Sequence, residues 1–322
     1  MSGAAWLPDP KGPKLRGIVP SLNTPFNGDG AIEEAGVARL VEHCVATGCP
    51  GALALAVAGE VGALTAAERA RLTRLLEEAS AGRLALVIGC SAPDFADSLA
   101  AARTVREAAA VLWQAPADAT AGDLVEAVGR LSDAAGGRPV IVQDLDWAGP
   151  GLALDAIVEA AARAPAFAGI KIETVPAGPK YSAVRAALGD RLNISGGWAV
   201  AQMLDGLARG VDAFVPTGME PVYVAIHDRF ARGDADGARA LFEALLPVIA
   251  FANQHIHVSI RTFKRLRAAT GTFATDHCRP PVPPLDPIQA AEADRAVARA
   301  LALERDVVAG RQPLATSTEP AR

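Results

Sequence analysis

Lysine is scarce in this chain. Of 31 basic residues, only Lys11, Lys14, Lys171, Lys180 and Lys264 are lysine, and the rest are arginine. Aromatic residues make up 5%, with two tyrosines. Cysteine is also sparse. Cys44, Cys49, Cys90 and Cys278 show no metal-type spacing and read as buried thiols of a reducing compartment. The five histidines do not cluster. The "HIH" at 255–257 is the nearest approach, and on a helix its two imidazoles diverge. No metal and no cofactor are therefore expected. No apolar run reaches the roughly 18 residues of a membrane span. The opening "MSGAAWLPDPKGPKLRG" lacks the apolar core of a signal peptide, so a cytoplasmic location is expected. The net charge of -5 argues against nucleic acid as a partner.

What is present is an apolar, alternating chain: 51% hydrophobic and 21% charged over 322 residues, the balance of a globular core. Short apolar runs alternate with amphipathic segments. Strands are expected at 17–22, 51–59, 84–90, 109–115, 138–144, 167–173, 192–197 and 211–218. Helices are expected at 31–48, 65–82, 93–108, 120–136, 152–164, 179–188, 199–209 and from 221 onward. Thr65 with Glu68 three residues on forms a capping box. Continuously apolar strands are buried on both faces, so the sheet is parallel. Eight such units without a change of composition point to a closed (β/α)8 TIM barrel at 15–232. An open doubly wound sheet would want a glycine fingerprint after the first strand, and "PSLNTPFNGDG" has none. Three further helices, at 236–252, 255–270 and 286–306, make a C-terminal helical extension at 233–308. Residues 309–322 read as a polar, disordered tail.

One lysine sits inside a buried strand, in "AFAGIKIETV" (166–175). Burying an ammonium is costly unless it is paired or gives up its proton. Lys171 falls near the C-terminal end of the sixth strand, the end where such barrels carry their chemistry. A lysine in apolar surroundings can present a neutral, nucleophilic amine and form a Schiff base with a carbonyl. Arginine cannot, because its guanidinium stays protonated. The structural alternative is a lysine that reaches solvent or pairs with Glu173 or Glu60.

Several stretches resemble the dihydrodipicolinate synthase and N-acetylneuraminate lyase family of class I aldolases, over about residues 15–305. "GIVPSLNTPFNGDGAIE" is similar to its opening strand and loop. "AVAGEVGALTAAER" lies where it carries Gly-Thr-Thr-Gly-Glu and a Glu-Arg helix. "GIKIE" is similar to its Gly-Ile-Lys-Glu motif, with one extra apolar residue. "HVSIRTFKRLRAATGTFATDHCRPPVPPLD" resembles its C-terminal helix and Arg-Pro-Pro ending. The resemblance implies a lyase in which Lys171 forms a Schiff base with pyruvate or another 2-keto acid or aldehyde, and a homotetramer or homodimer. It places Val57 and Ala58 where the family's two threonines hold the keto-acid carboxylate, with Gly59 and nearby backbone N–H groups left as the anion cradle. It places Gln143 where the family's proton-shuttling tyrosine stands, and an amide cannot act as that acid or base. Ala117 and Asp118 stand where the family often has two tyrosines.

Other groups are candidates to carry the proton. Glu173 shares a strand face with Lys171, so it either moves protons or forms a structural ion pair. Asp144 follows Gln143 and either takes part in catalysis or caps the next turn. Glu60 closes the second strand. Ser195, Gly196, Gly197 and Trp198 end the seventh strand, and Thr217 and Gly218 the eighth. Barrels often bind carboxylate or phosphate there, although these glycines equally suit tight turns. Trp147 and Trp198 could line a pocket. Two further readings stay open: a non-catalytic descendant that binds a small carboxylate or supports an assembly, and a barrel enzyme for a phosphorylated substrate with Lys171 as a clamp.

Overall fold

The computed structural model describes residues 15–310. Its strands are β1 Gly17–Ile18, β2 Gly51–Ala54, β3 Ala85–Gly89, β4 Ala110–Gln114, β5 Val140–Asp146, β6 Phe167–Thr174, β7 Asn193–Gly196 and β8 Ala213–Phe214. All pair in parallel in the order β1-β8-β7-β6-β5-β4-β3-β2. A parallel bridge between Ser21 and Leu53 brings β1 back to β2, so the eight strands form a nearly closed TIM barrel. The helices between them are α1 Glu34–Thr47, α2 Ala66–Ser80, α3 Phe95–Ala102, α4 Ala121–Ala134, α5 Leu154–Arg163, α6 Gly178–Leu188, α7 Met203–Ala208 and α8 Glu220–Ala231. Three more follow: α9 Ala235–Ala252, α10 Ile256–Ala269 and α11 Pro287–Val308. Among the described residues no helix is long and apolar enough to cross a membrane.

The strands are apolar on both sides because the barrel buries both. Val19, Leu53, Val87, Leu112, Ile141 and Val215 point inward and fill the interior. Val111, Val140, Ile170, Ile172 and Phe214 point outward, into the layer under the helices. Each such aliphatic side chain contributes about 1.5–3 kcal/mol on full burial. The capping box at α2 forms as the sequence implies, with Thr65 and Glu68 exchanging hydrogen bonds.

Some boundaries differ from those the sequence suggests. The first strand is shorter because Pro20 and Pro216 each lack an N–H for the ladder, although Val19 and Ser21 still donate to the Phe214 and Pro216 carbonyls. The third helix ends at Ala102 instead of Ala108. The amides of Arg106, Glu107 and Ala108 turn to donate to the buried Glu77 carboxylate. The seventh helix begins as a 3-10 turn, Trp198–Gln202, before α7. The tail expected from 309 onward lies almost wholly outside the described residues.

Candidate active site

Parallel pairing sets the site. Gln143 and Leu145 on β5 lie beside Lys171 and Glu173 on β6. Alternation sends all four side chains to the inner face of the barrel mouth. There they line one cleft together with Ser21, Ala56, Val57, Ala58, Trp147, Gly197, Val200, Val215, Thr217 and Tyr223. The far wall comes from Ile249 and Asn253 of the α9 end and from Ile256, Ser259 and Phe263 of α10. The C-terminal helices thus cover one side of the barrel mouth.

Lys171 is buried and its Nζ is ion-paired with Glu173 Oε2. Gln143 Nε2 donates to the same oxygen at 2.5 Å. One carboxylate oxygen therefore holds both an ammonium and an amide, and the lysine sits at the cleft floor. Gly197 makes room for this group. A Cβ there would lie 2.1 Å from Glu173 Oε1 and 2.6 Å from Lys171 Nζ.

The other expected site residues divide. Val57 and Ala58 line the cleft at the start of a 3-10 turn, Val57–Gly59. The first N–H groups of such a turn have no partner within it. Gly59 does not join them: its N–H donates to Ala56 and its carbonyl accepts from Thr24 Oγ1 at 2.6 Å. Thr217 lines the cleft, whereas Gly218 forms a left-handed turn (φ +74) packed on the Phe263 ring. Ser195 points into the barrel interior below Lys171, next to Asn193, and Gly196 completes β7. Trp147 stands half-exposed at the rim. The side chain of Trp198 lies outside the described residues.

Two carboxylates nominated from the sequence are elsewhere. Asp144 points outward from β5, where Oδ1 accepts from the Leu152 N–H at 2.9 Å and Oδ2 pairs with Lys180 at 2.5 Å. Burial raises its pKa, opposed by Lys180. It anchors the β5–α5 loop and does not reach the cleft. Glu60 faces α10. It ion-pairs with the fully buried Lys264, which lies 4.2 Å from the Phe26 ring centroid, and accepts from the Arg279 N–H at 2.8 Å. The Arg279 guanidinium stacks on the same ring and holds the Glu68 carboxyl down at about 2. Glu60 therefore fastens the Val57–Gly59 turn to the C-terminal helices.

Sequence reasoning missed Tyr223, Asn253, Ser259 and Phe263. Tyr223 is buried on α8, and burial, with Glu220 nearby, pushes its hydroxyl pKa up. As one of only two tyrosines, closely following an expected strand end, it could have been nominated. The α9 and α10 residues had no such signal, because their place depends on how the extension docks.

The dihydrodipicolinate synthetase family model matches residues 14–300. The chain belongs to that family. It is 31% identical over 297 residues to an L-2-keto-3-deoxyarabonate dehydratase of Azospirillum brasilense, covering 87% of this chain and 93% of that one. Its fold is similar to that of a dihydrodipicolinate synthase from Rhodopseudomonas palustris, with a TM-score of 0.79, 23% identity and 93% and 99% of the two chains covered. It is also similar to an N-acetylneuraminate lyase from Proteus mirabilis, with a TM-score of 0.78, 23% identity and 89% and 98% covered. Lyase or dehydratase activity on small keto acids is thus the family-level function. Among the described residues no group of three His, Cys, Asp or Glu side chains is arranged to hold a metal ion.

Proposed function

We propose that the cleft carries out Schiff-base lyase chemistry on a 2-keto acid, with Lys171 as nucleophile and Glu173 as proton carrier. The observation that carries this reading is the Lys171–Glu173–Gln143 group at the barrel mouth. The ammonium first passes a proton to the Glu173 carboxylate. The neutral amine adds to the C2 carbonyl. Glu173 returns the proton to the carbinol oxygen, which leaves as water, and Lys171 is joined to the substrate as a protonated iminium. That iminium draws electrons from C3, so Glu173, again a carboxylate, can remove a C3 proton and give an enamine. Loss of a neighbouring hydroxyl as water, or cleavage of the adjacent carbon–carbon bond, uses the same electron sink. The relative's dehydratase name supports elimination as the first choice. Gln143 positions the carboxylate and takes no proton. The Val57 and Ala58 amides supply donors for the substrate carboxylate.

Borohydride reduction in the presence of a panel of 2-keto acids, followed by peptide mass spectrometry, tests the reading. A substrate-derived mass is expected on the peptide containing Lys171. An adduct on Lys180 or Lys264 would move the site, and Lys171→Ala with undiminished activity would end the Schiff-base assignment.

A further inference from the structure

We propose that the cleft selects carbonyl substrates that carry no anionic group beyond the one next to the carbonyl, so that monocarboxylic 2-keto acids enter and dicarboxylic or phosphorylated ones are rejected. This rests on the Schiff-base reading above and narrows it to a substrate class. The basis is a charge census of the walls. Lys171 and Glu173 are the charged residues among those lining the cleft, and they face each other. The β7 and β8 ends contribute Gly197, Val200, Val215, Pro216 and Thr217, with no cation among them. The helical wall contributes Ile249, Asn253, Ile256, Ser259 and Phe263, again uncharged.

Cations on the surrounding elements are committed, Arg261 of α10 among them, which donates to the Pro283 and Val282 carbonyls. Lys264 is held by Glu60 and the His277 carbonyl, Lys180 by Asp144 and the Pro150 carbonyl, and Arg267 by Glu220. His255 and His257 stack edge to face, 4.6 Å apart, outside the lining. One carboxylate can be met by the Val57 and Ala58 amides, which have no partner within their 3-10 turn. A second anion would be desolvated against Val200, Val215, Ile249 and Phe263 with no counter-charge, and with the Glu173 carboxylate across the floor. With chain length held fixed, charge is what differs between two such substrates.

The test compares 2-oxovalerate with 2-oxoglutarate, which share a five-carbon chain and differ in the terminal carboxylate. Both are trapped with borohydride at subsaturating concentration and pH 8, above the range in which imidazoles carry charge. The 2-oxovalerate adduct should form on Lys171 about 100-fold faster or more. In Ser259→Arg, which places a cation on the helical wall, 2-oxoglutarate should gain at least about tenfold relative to 2-oxovalerate. Equal trapping of the two acids by the native protein, or no relative gain in a folded Ser259→Arg variant, would overturn the charge selection and leave the Schiff-base reading intact. Failure of both acids and the rest of the 2-keto acid panel to modify Lys171 would overturn the Schiff-base reading, and this one with it.

Discussion

The carboxylate of Glu173 is the group on which the proposed chemistry turns, and Glu173→Gln isolates it. Glutamine keeps the shape, and its carbonyl can still accept from Lys171 or Gln143, so the barrel should fold. What is lost is the negative charge beside a buried ammonium and the capacity to take a proton. If the ammonium persists unpaired, breaking such a pair costs about 3–5 kcal/mol. If proton transfer is what Glu173 supplies, its loss slows that step by about 10²–10⁴-fold. Exchange of the C3 protons of 2-oxovalerate with D2O, followed by proton NMR, reads this step alone, since it needs the iminium and a base but no further chemistry. Borohydride trapping read in parallel shows whether the iminium still forms. The expected result is exchange slowed by about 10²–10⁴-fold while trapping at Lys171 remains detectable. Gln143→Leu, which removes only the positioning donor, should slow exchange by about tenfold. If Glu173 is merely a counter-charge, Glu173→Gln will shift the pH profile of trapping and leave maximal exchange within a few-fold of native. That outcome would refute its role as the base.

Three further outcomes follow from particular contacts. Pyruvate should bind about two to four orders of magnitude more weakly than to a family member with both threonines, since each lost hydrogen bond to a charged group is worth about 1.5–3 kcal/mol; Val57→Thr with Ala58→Thr should recover part of this by calorimetry, and tight micromolar pyruvate binding by the native protein would contradict it. Lys264→Met leaves the Glu60 carboxylate buried without its partner and should destabilise by about 3–5 kcal/mol in urea titration, whereas Lys264→Met with Glu60→Gln should cost less than the sum of the two single changes. Burial among α8, α10 and α11 raises the Glu304 carboxyl from 4.5 to about 7. Its folded form therefore holds a proton that the unfolded chain releases, and stability falls as pH rises from about 4.5 through about 7. Glu304→Gln should thus raise stability at pH 8 by roughly 1–2 kcal/mol after allowing for partial solvent exposure, with the gain vanishing toward pH 4.5; an equal gain at both pH values would show another cause.

The barrel was legible because its physics is local. Each strand is a short apolar run buried on two faces, each helix has a one-sided apolar stripe, and both patterns survive in one dimension. Lys171 was legible for the converse reason: a charge inside such a run is an exception that needs an explanation. The pairing with Glu173 followed from strand alternation. Asp144 shows the limit of that reasoning. It lies next to Gln143 in sequence, yet one step along a strand turns a side chain to the opposite face, where Lys180 and the Leu152 amide take it up. Glu60 failed for a different reason. Its backbone is left-handed (φ 55), which swings its side chain out of the strand pattern and toward α10. The helical wall, with Asn253, Ser259 and Phe263, left no trace in the sequence, because a docking angle between distant segments has no periodicity.

The three lysines of the described chain each meet a buried carboxylate: Lys171 with Glu173, Lys180 with Asp144, Lys264 with Glu60. A buried lysine–carboxylate pair is therefore no mark of chemistry in this protein, since two of the three hold loops in place. What separates Lys171 is access. Lys264 is sealed beneath Phe26 and the His277 carbonyl, and Lys180 binds the back of the β5–α5 loop. Lys171 alone among them lines the cleft, with a glycine opposite it where any side chain would collide. At the cleft floor a guanidinium would keep the charge and lose the amine nucleophile, so the proposed chemistry requires lysine at 171.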